Sequence, residues 1–266
     1  MSLVEALIKW FVSLFSKENE GGGSVPTQPP VVEQPIQGDN SIEETDVEPE
    51  LIDPPMIITK HKHYMHILLD NGHAQKTPGK RSPVLNGKQF FEYEFNRDIV
   101  HRIGVKLASL GIPFHILVPE VMEDIPLSTR AARANKICAE FGAANCLLIS
   151  IHSDAAGDGS AWKNARGWSV FTTKGKTNSD KYATLFYNEA EKIVPQLGSK
   201  MRKETSDGDP DFEENFTIIY KAACPAILTE NLFYDNQKDF EILMSEEGRE
   251  AIANIHVNAI KQLSIA

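Results

Sequence analysis

The chain has 266 residues, 41% of them hydrophobic and 24% charged. These proportions exclude whole-chain disorder, a collagen-like rod and a long coiled coil. The formal net charge is −10, and residues 17–53 carry ten acidic side chains against one lysine, so almost all of the excess belongs to that segment. The remainder is close to neutral and has no basic stripe with which to hold a nucleic-acid backbone.

Residues 1–16 read as a short amphipathic helix. Ser2, Glu5, Lys9, Ser13 and Ser16 fall on one stripe, and Leu3, Leu7, Trp10, Phe11, Leu14 and Phe15 fill the opposite face. A cleavable signal is the rival reading, but the start is uncharged, Glu5 and Lys9 interrupt the apolar core and no small-residue cleavage site follows. A helix this short is marginal alone. Residues 3–15 are therefore expected to bury against a membrane, a protein partner or the body of the chain. No run reaches the roughly 18 uncharged apolar residues of a spanning helix. Residues 17–55 combine Gly21-Gly-Gly-Ser24, scattered prolines and acids, the composition of a disordered tether.

Residues 56–266 read as a single α/β domain. Strands are expected at Tyr64–Asp70, Pro113–Val118, Cys146–Ile151, Gly167–Thr173 and Pro225–Glu230. Helices are expected at Phe91–Leu110, Ser128–Phe141, Ser179–Val194 and Glu246–Leu263, with Gly111 and Gly142 as stops. The alternation predicts a mainly parallel twisted sheet flanked by helices. The runs His66–Leu69 and Leu147–Ile151 suit strands buried on both faces. Cys138, Cys146 and Cys224 lie in apolar contexts and read as reduced core thiols.

In such a sheet ligands bind beyond the carboxyl ends of the strands. The first strand runs out at His73, a later one at His152 and the last at Glu230, while Glu92 and Glu94 open the helix after the first strand. Two imidazoles and two carboxylates from separate elements suit a hydrolytic Zn²⁺ site, with three protein ligands, ligand distances of roughly 2.0–2.2 Å and a carboxylate left over as base. Taken singly, each of these residues is ordinary; Glu92 or Glu94 could simply favour the helix dipole. His61, His63 and His66 also suggest a metal cluster, but they lie at or before the start of the first strand, away from its carboxyl end. His101, His115 and His256 fall inside predicted elements and read as structural.

The segments Ile67-Leu-Leu-Asp-Asn-Gly-His73, Glu92-Tyr-Glu-Phe-Asn96, Ser150-Ile-His-Ser-Asp154 and Leu228-Thr-Glu-Asn231 resemble, in order, those of the zinc-dependent N-acetylmuramoyl-L-alanine amidases, the type-3 amidase family. The likeness spans nearly the whole body. It departs at Asn71, where the family often has proline; Asn before Gly also suits the turn. The resemblance implies that His73, Glu92 and His152 hold zinc, the spacing to Asn96 choosing Glu92 over Glu94, and that Glu230 is catalytic. It implies hydrolysis of the amide between muramic acid and the L-alanine of the peptidoglycan stem peptide. The loop around Thr77–Pro83, Asn164–Gly167 and Ser206–Asp209 resemble amidases of phages and mobile elements from Bacteroides-like bacteria. Lys80, Arg81 and Arg166 in these loops are candidates to meet substrate carboxylates, though solvated loop cations look the same in sequence. Rival functions are a zinc peptidase cutting within the stem peptide and a wall-binding particle protein with an inactive site. The expected setting is synthesis in the cytoplasm without a clear signal peptide, then action on the bacterial wall after phage-type release, particle delivery or anchoring by the head.

Overall fold

A computed structural model describes residues 64–263. The amphipathic head at 1–16, the tether at 17–55, and His61 and His63 lie outside the described residues.

The chain order is β1 (His66–Asn71), α1 (Glu92–Ser109), β2 (Phe114–Ile116), α2 (Leu127–Phe141), a 3-10 turn (Ala143–Asn145), β3 (Cys146–Asp154), β4 (Ser169–Thr172), α3 (Asp180–Ile193), β5 (Phe212–Glu213), α4 (Thr217–Tyr220), β6 (Ala226–Phe233), α5 (Gln237–Met244) and α6 (Glu246–Ile260). Six strands form one sheet in the order β2-β1-β3-β6-β4-β5. β1, β2, β3 and β6 pair in parallel; β4 runs antiparallel to β6 and parallel to β5. The sheet is thus mainly parallel, as the alternating pattern predicts.

The two central apolar runs are buried on both faces because helices cover both. Ile67, Leu69, Leu147, Ile149 and Ile151 pack into one layer with Phe95, Ile99 and Ile103 of α1, Phe186 of α3 and Ile252 and Ile255 of α6. Leu68, Leu148 and Leu228 face the other way, onto Ala131, Ala134 and Cys138 of α2 and Ile218 of α4. This is the period-2 alternation of a strand, with apolar residues demanded at both phases. Gly111 and Gly142 adopt φ of 67° and 88°, the left-handed conformation that stops a helix. The three cysteines are free and buried, and burial pushes the Cys146 and Cys224 thiols up, Cys146 to about 12.

Three elements were absent from the sequence reading. β5 has two residues and α4 a single turn, too short for any periodicity to register. α5 has a local signal that was missed: the Asn236 side chain accepts from the Lys238 and Asp239 amides as an N-cap.

His256 on α6 is fully buried. Its Nδ1 lies 2.9 Å from the Ile252 carbonyl and its Nε2 3.0 Å from the Thr229 hydroxyl, which fits Nδ1–H donating and Nε2 accepting. Burial lowers its pKa to about 4. The unfolded ring titrates near 6.5, so between those values the unfolded chain binds more protons. Stability from this residue is complete above about pH 6.5 and is lost as pH falls toward 4. The maximal loss is on the order of 3 kcal/mol. His256→Gln is expected to flatten the pH dependence of chemical-denaturation free energy between pH 6.5 and 4; an unchanged slope would show that other groups set it.

Candidate metal centre and active site

The carboxyl ends of β1, β3 and β6 converge on one rim. β1 stops at Asn71, and the turn after it places His73 at φ 65°, a left-handed conformation unusual for a residue with a side chain. Arg97 holds this turn by donating Nη1 to the His73 carbonyl at 2.8 Å, and Asn96 Nδ2 donates to the Gly72 carbonyl at 3.0 Å. Both come from α1, so the helix that begins with Glu92 also clamps the loop carrying His73. β3 and β6 run in register with His152 opposite Glu230, and the pairing then shifts between His152 and Asp154. Leu232 takes φ 67° at this bulge. Ser153 Oγ reaches the Asn231 and Leu232 carbonyls at 3.1 Å each, and Asn231 Nδ2 donates to the His152 carbonyl at 2.9 Å. The buried Trp168 indole donates to Asn231 Oδ1 at 2.8 Å, completing the brace.

Among the described residues, His73, Glu92 and His152 form the group whose ligand atoms all lie within 4.8 Å of one another. The two rings meet edge to face with centroids 5.0 Å apart. Glu92 Oε1 lies 3.1 Å from His152 Nδ1 and accepts the Ser153 amide at 3.2 Å. Glu92 Oε2 is buried without a hydrogen-bond partner, 3.5 Å from His73 Nε2. Glu94, the competing carboxylate, is exposed and accepts from the Tyr93 hydroxyl. Burial thus separates two carboxylates that the bare pattern left alike.

The protonation states suit a cation. Burial lowers the His73 imidazole to about 4, which leaves the ring neutral with its lone pair available at pH 7. Burial would raise the Glu92 carboxyl, but the His152 hydrogen bond and the electrostatic pull of the neighbouring His73, His152 and Lys80 side chains outweigh it and hold Glu92 down to about 2. A neutral His73 imidazole and the His152 ring beside an ionised carboxylate with an orphaned oxygen are the donor set that a borderline divalent metal takes. Glu230 differs from Glu92. Burial, then the negative charges of Asp154 and Glu92, push its carboxyl well above the ordinary range, and its Oε2 is also buried without a hydrogen-bond partner.

Gly72 is required here by close approach. A Cβ on it would sit 2.0 Å from His152 Cε1 and within 2.5 Å of both ring nitrogens. Gly72→Ala is therefore expected to displace the His152 ring and lower metal affinity by at least about 10-fold, the scale of outer-shell disruptions. Metal titration of the purified variant checks this; unchanged affinity would mean that the ring has room to move.

The three loop cations have different fates. Lys80 reaches the site, its Nζ 3.9 Å from Glu92 Oε2. Arg81 contributes backbone, bridging Phe91, and its carbonyl lies against Gly159; its side chain is exposed. Arg166 is tied elsewhere: Nη2 donates to the Gly198 carbonyl and pairs with the buried Asp239 at 3.2 Å. That pairing gives the Arg166 guanidinium a buried structural partner away from the three candidate ligands. A cation the sequence reading passed over lies nearer the chemistry. Arg202 donates Nη1 to Asp154 Oδ2 at 2.8 Å, lies over the Phe212 and Phe233 rings, and acts electrostatically on Glu230. Its only sequence signal is a basic residue before the Asp-rich loop.

Comparison with known proteins speaks to the family and the fold. An endolysin of Bacillus phage SPP1 is 23% identical over 201 residues, 74% of this chain; the match spans 65% of the endolysin's own length. An N-acetylmuramoyl-L-alanine amidase structure from Clostridium difficile 630 superposes with a TM-score of 0.60 at 22% identity, covering 75% of this chain and 96% of that one. The Ami1 amidase of Mycobacterium smegmatis does so with a TM-score of 0.57 at 21% identity, covering 75% and 96%. At these identities the structural likeness speaks to the fold. The family profile described as N-acetylmuramoyl-L-alanine amidase matches residues 67–262, from the first residues of β1 to the end of α6. Since that match covers nearly three quarters of the sequence and encloses every residue of the rim, the chain belongs to the N-acetylmuramoyl-L-alanine amidase family.

Proposed function

We propose that the chain hydrolyses the amide joining the lactyl group of muramic acid to the L-alanine of the stem peptide, with a zinc ion held by His73, Glu92 and His152 and with Glu230 as general base and acid. The observation that carries this reading is the convergence of those three ligand atoms within 4.8 Å, beside Glu230 on the adjacent strand, in a member of an amidase family.

When bound, zinc supplies a Lewis acid that polarises the scissile carbonyl and makes water acidic enough to attack near neutral pH. Glu230 accepts a proton from the attacking water. The water oxygen bonds to the carbonyl carbon, the carbon–nitrogen bond breaks, and Glu230 returns the proton to the departing nitrogen. The products are the lactyl carboxylic acid and a stem peptide with a free L-alanine amine. Arg202 fixes Asp154 beside Glu230, and Lys80 places a positive charge at the mouth of the site, suited to a carboxylate of the stem peptide. Arg97, Asn231 and Trp168 keep the ligand-bearing loops in place. Residues 1–16 are proposed to deliver the enzyme to a membrane or protein partner through the acidic tether, leaving hydrolysis to the body.

The test is product analysis of purified peptidoglycan digested with and without a chelator. Intact stem peptides beginning with L-alanine are expected, and the chelator abolishes them. Fragments cut inside the stem would convert the assignment to a peptidase. The same digestion by a chain lacking residues 1–50 is expected to proceed at an undiminished rate; loss of hydrolysis there would remove the delivery role.

A further inference from the structure

A second pair of imidazoles stands at the opposite end of β1. Leu68 pairs with His115 in the β1–β2 register, and His66 lies two residues before Leu68, so the two histidines project from the same face of neighbouring strands. His66 Nδ1 and His115 Nε2 are 3.2 Å apart. Two nitrogens bound tetrahedrally to one zinc at its usual bond length are about 3.3–3.4 Å apart. Phe141, at the end of α2, fixes both rings. It stacks on His66 with centroids 3.8 Å apart and an interplanar angle of 18°, and lies 5.6 Å from His115. Glu140, the residue before it, is exposed and acts electrostatically on both imidazoles. As placed, Glu140 is outside the ligand distance that joins His73, Glu92 and His152, but its side chain is on the surface, where a rotamer change meets little resistance.

We propose that His66 and His115, joined by Glu140 and water, form a second site for a borderline divalent transition-metal ion, separate from the hydrolytic centre. His73 follows His66 by seven residues of largely extended chain, so the two sites are on the order of 20 Å apart. Nitrogen donors with one carboxylate favour Zn²⁺, Ni²⁺ or Cu²⁺ over Ca²⁺ or Mg²⁺. Partial exposure of both rings leaves the ion a path from solvent. Its role there is structural. It ties the three-residue edge strand β2 to β1 and to the end of α2, and an ion that binds only the folded chain stabilises it by mass action.

The experiment uses the full chain, stripped by chelator and titrated with Zn²⁺, with stoichiometry read by native mass spectrometry. Two ions are expected in the wild type, and one in either His73→Ala or His115→Gln. Hydrolysis is lost in the first variant and kept in the second, which also shows that His115→Gln folds. In the His73→Ala background a zinc-dependent rise in thermal midpoint is expected, on the order of 5 °C at about 100-fold excess over the dissociation constant. It should vanish in His73→Ala/His115→Gln and in His73→Ala/His66→Gln. A single ion in the wild type that His73→Ala removes would overturn this proposal and leave the hydrolytic reading intact, the pair then being only hydrogen-bonded neutral imidazoles. A single ion that His115→Gln removes and His73→Ala does not would overturn the hydrolytic reading instead. Zinc retained by both double variants would place the second ion elsewhere and also overturn the proposal.

Discussion

Glu230→Gln is expected to lower turnover on purified peptidoglycan by about 10²–10⁴-fold while zinc remains bound one-for-one at His73, Glu92 and His152. Gln keeps the size of the side chain and its place opposite His152 on β6, so the strand pairing and the bulge at Leu232 have no reason to move. On the proposed mechanism, what disappears is the capacity to take a proton from water and return it to the leaving nitrogen. The carboxyl's setting makes the loss specific. Burial and the adjacent Asp154 and Glu92 charges raise its proton affinity, which is the property a proton acceptor in hydrolysis uses and an amide lacks. Metal content by native mass spectrometry and the rate of free L-alanine amine release are the paired measurements. Near-wild-type turnover with normal zinc would falsify the assignment of Glu230 and leave the base to be sought elsewhere on the rim.

His73→Ala is the second large effect. It deletes one of the three proposed ligands, and zinc affinity is expected to fall by more than about 100-fold, since even outer-shell changes cost 10–100-fold. Hydrolysis should then vanish at micromolar zinc. The fold is expected to survive, because the turn is held through the backbone: Arg97 donates to the His73 carbonyl and Asn96 to that of Gly72, whatever side chain position 73 carries. The left-handed φ of 65° at this position still costs an alanine about 1–3 kcal/mol, as it costs the histidine. Circular dichroism should therefore match the wild type while metal is lost. Undiminished zinc at the Glu92–His152 pair would remove His73 from the ligand set.

The readable and unreadable parts of this protein divide along a physical line. The apolar runs of β1 and β3 announce strands buried on both faces, because only a sheet covered by two helical layers demands hydrophobic residues at both phases of a two-residue period. The strand-end rule brings His73, His152 and Glu230 to one rim before any contact is known, since parallel strands deliver their last residues to the same side. Elements held up by partners rather than by pattern were lost: the two-residue β5 exists only against Phe171 and Thr172 of β4. The antiparallel direction of β4 was equally invisible, since direction is a property of the pairing and the chain segment carries no mark of it.

The same line runs through the site. The amino-acid order determined which residue types arrive at the rim, and the spacing from Glu92 to Asn96 distinguishes two neighbouring carboxylates once the family resemblance is drawn. Tertiary structure decided the surroundings each one meets there. It buries Glu92 and exposes Glu94, ties Arg166 to Asp239, brings Lys80 to the Glu92 carboxylate and sets Arg202 beside Asp154. Long loop cations look alike in a linear sequence, because their partners lie tens of residues away and their energies depend on burial that only packing confers. His66 and His115 are the sharpest case: 49 positions apart and unremarkable individually, they become a pair only when β1 and β2 align.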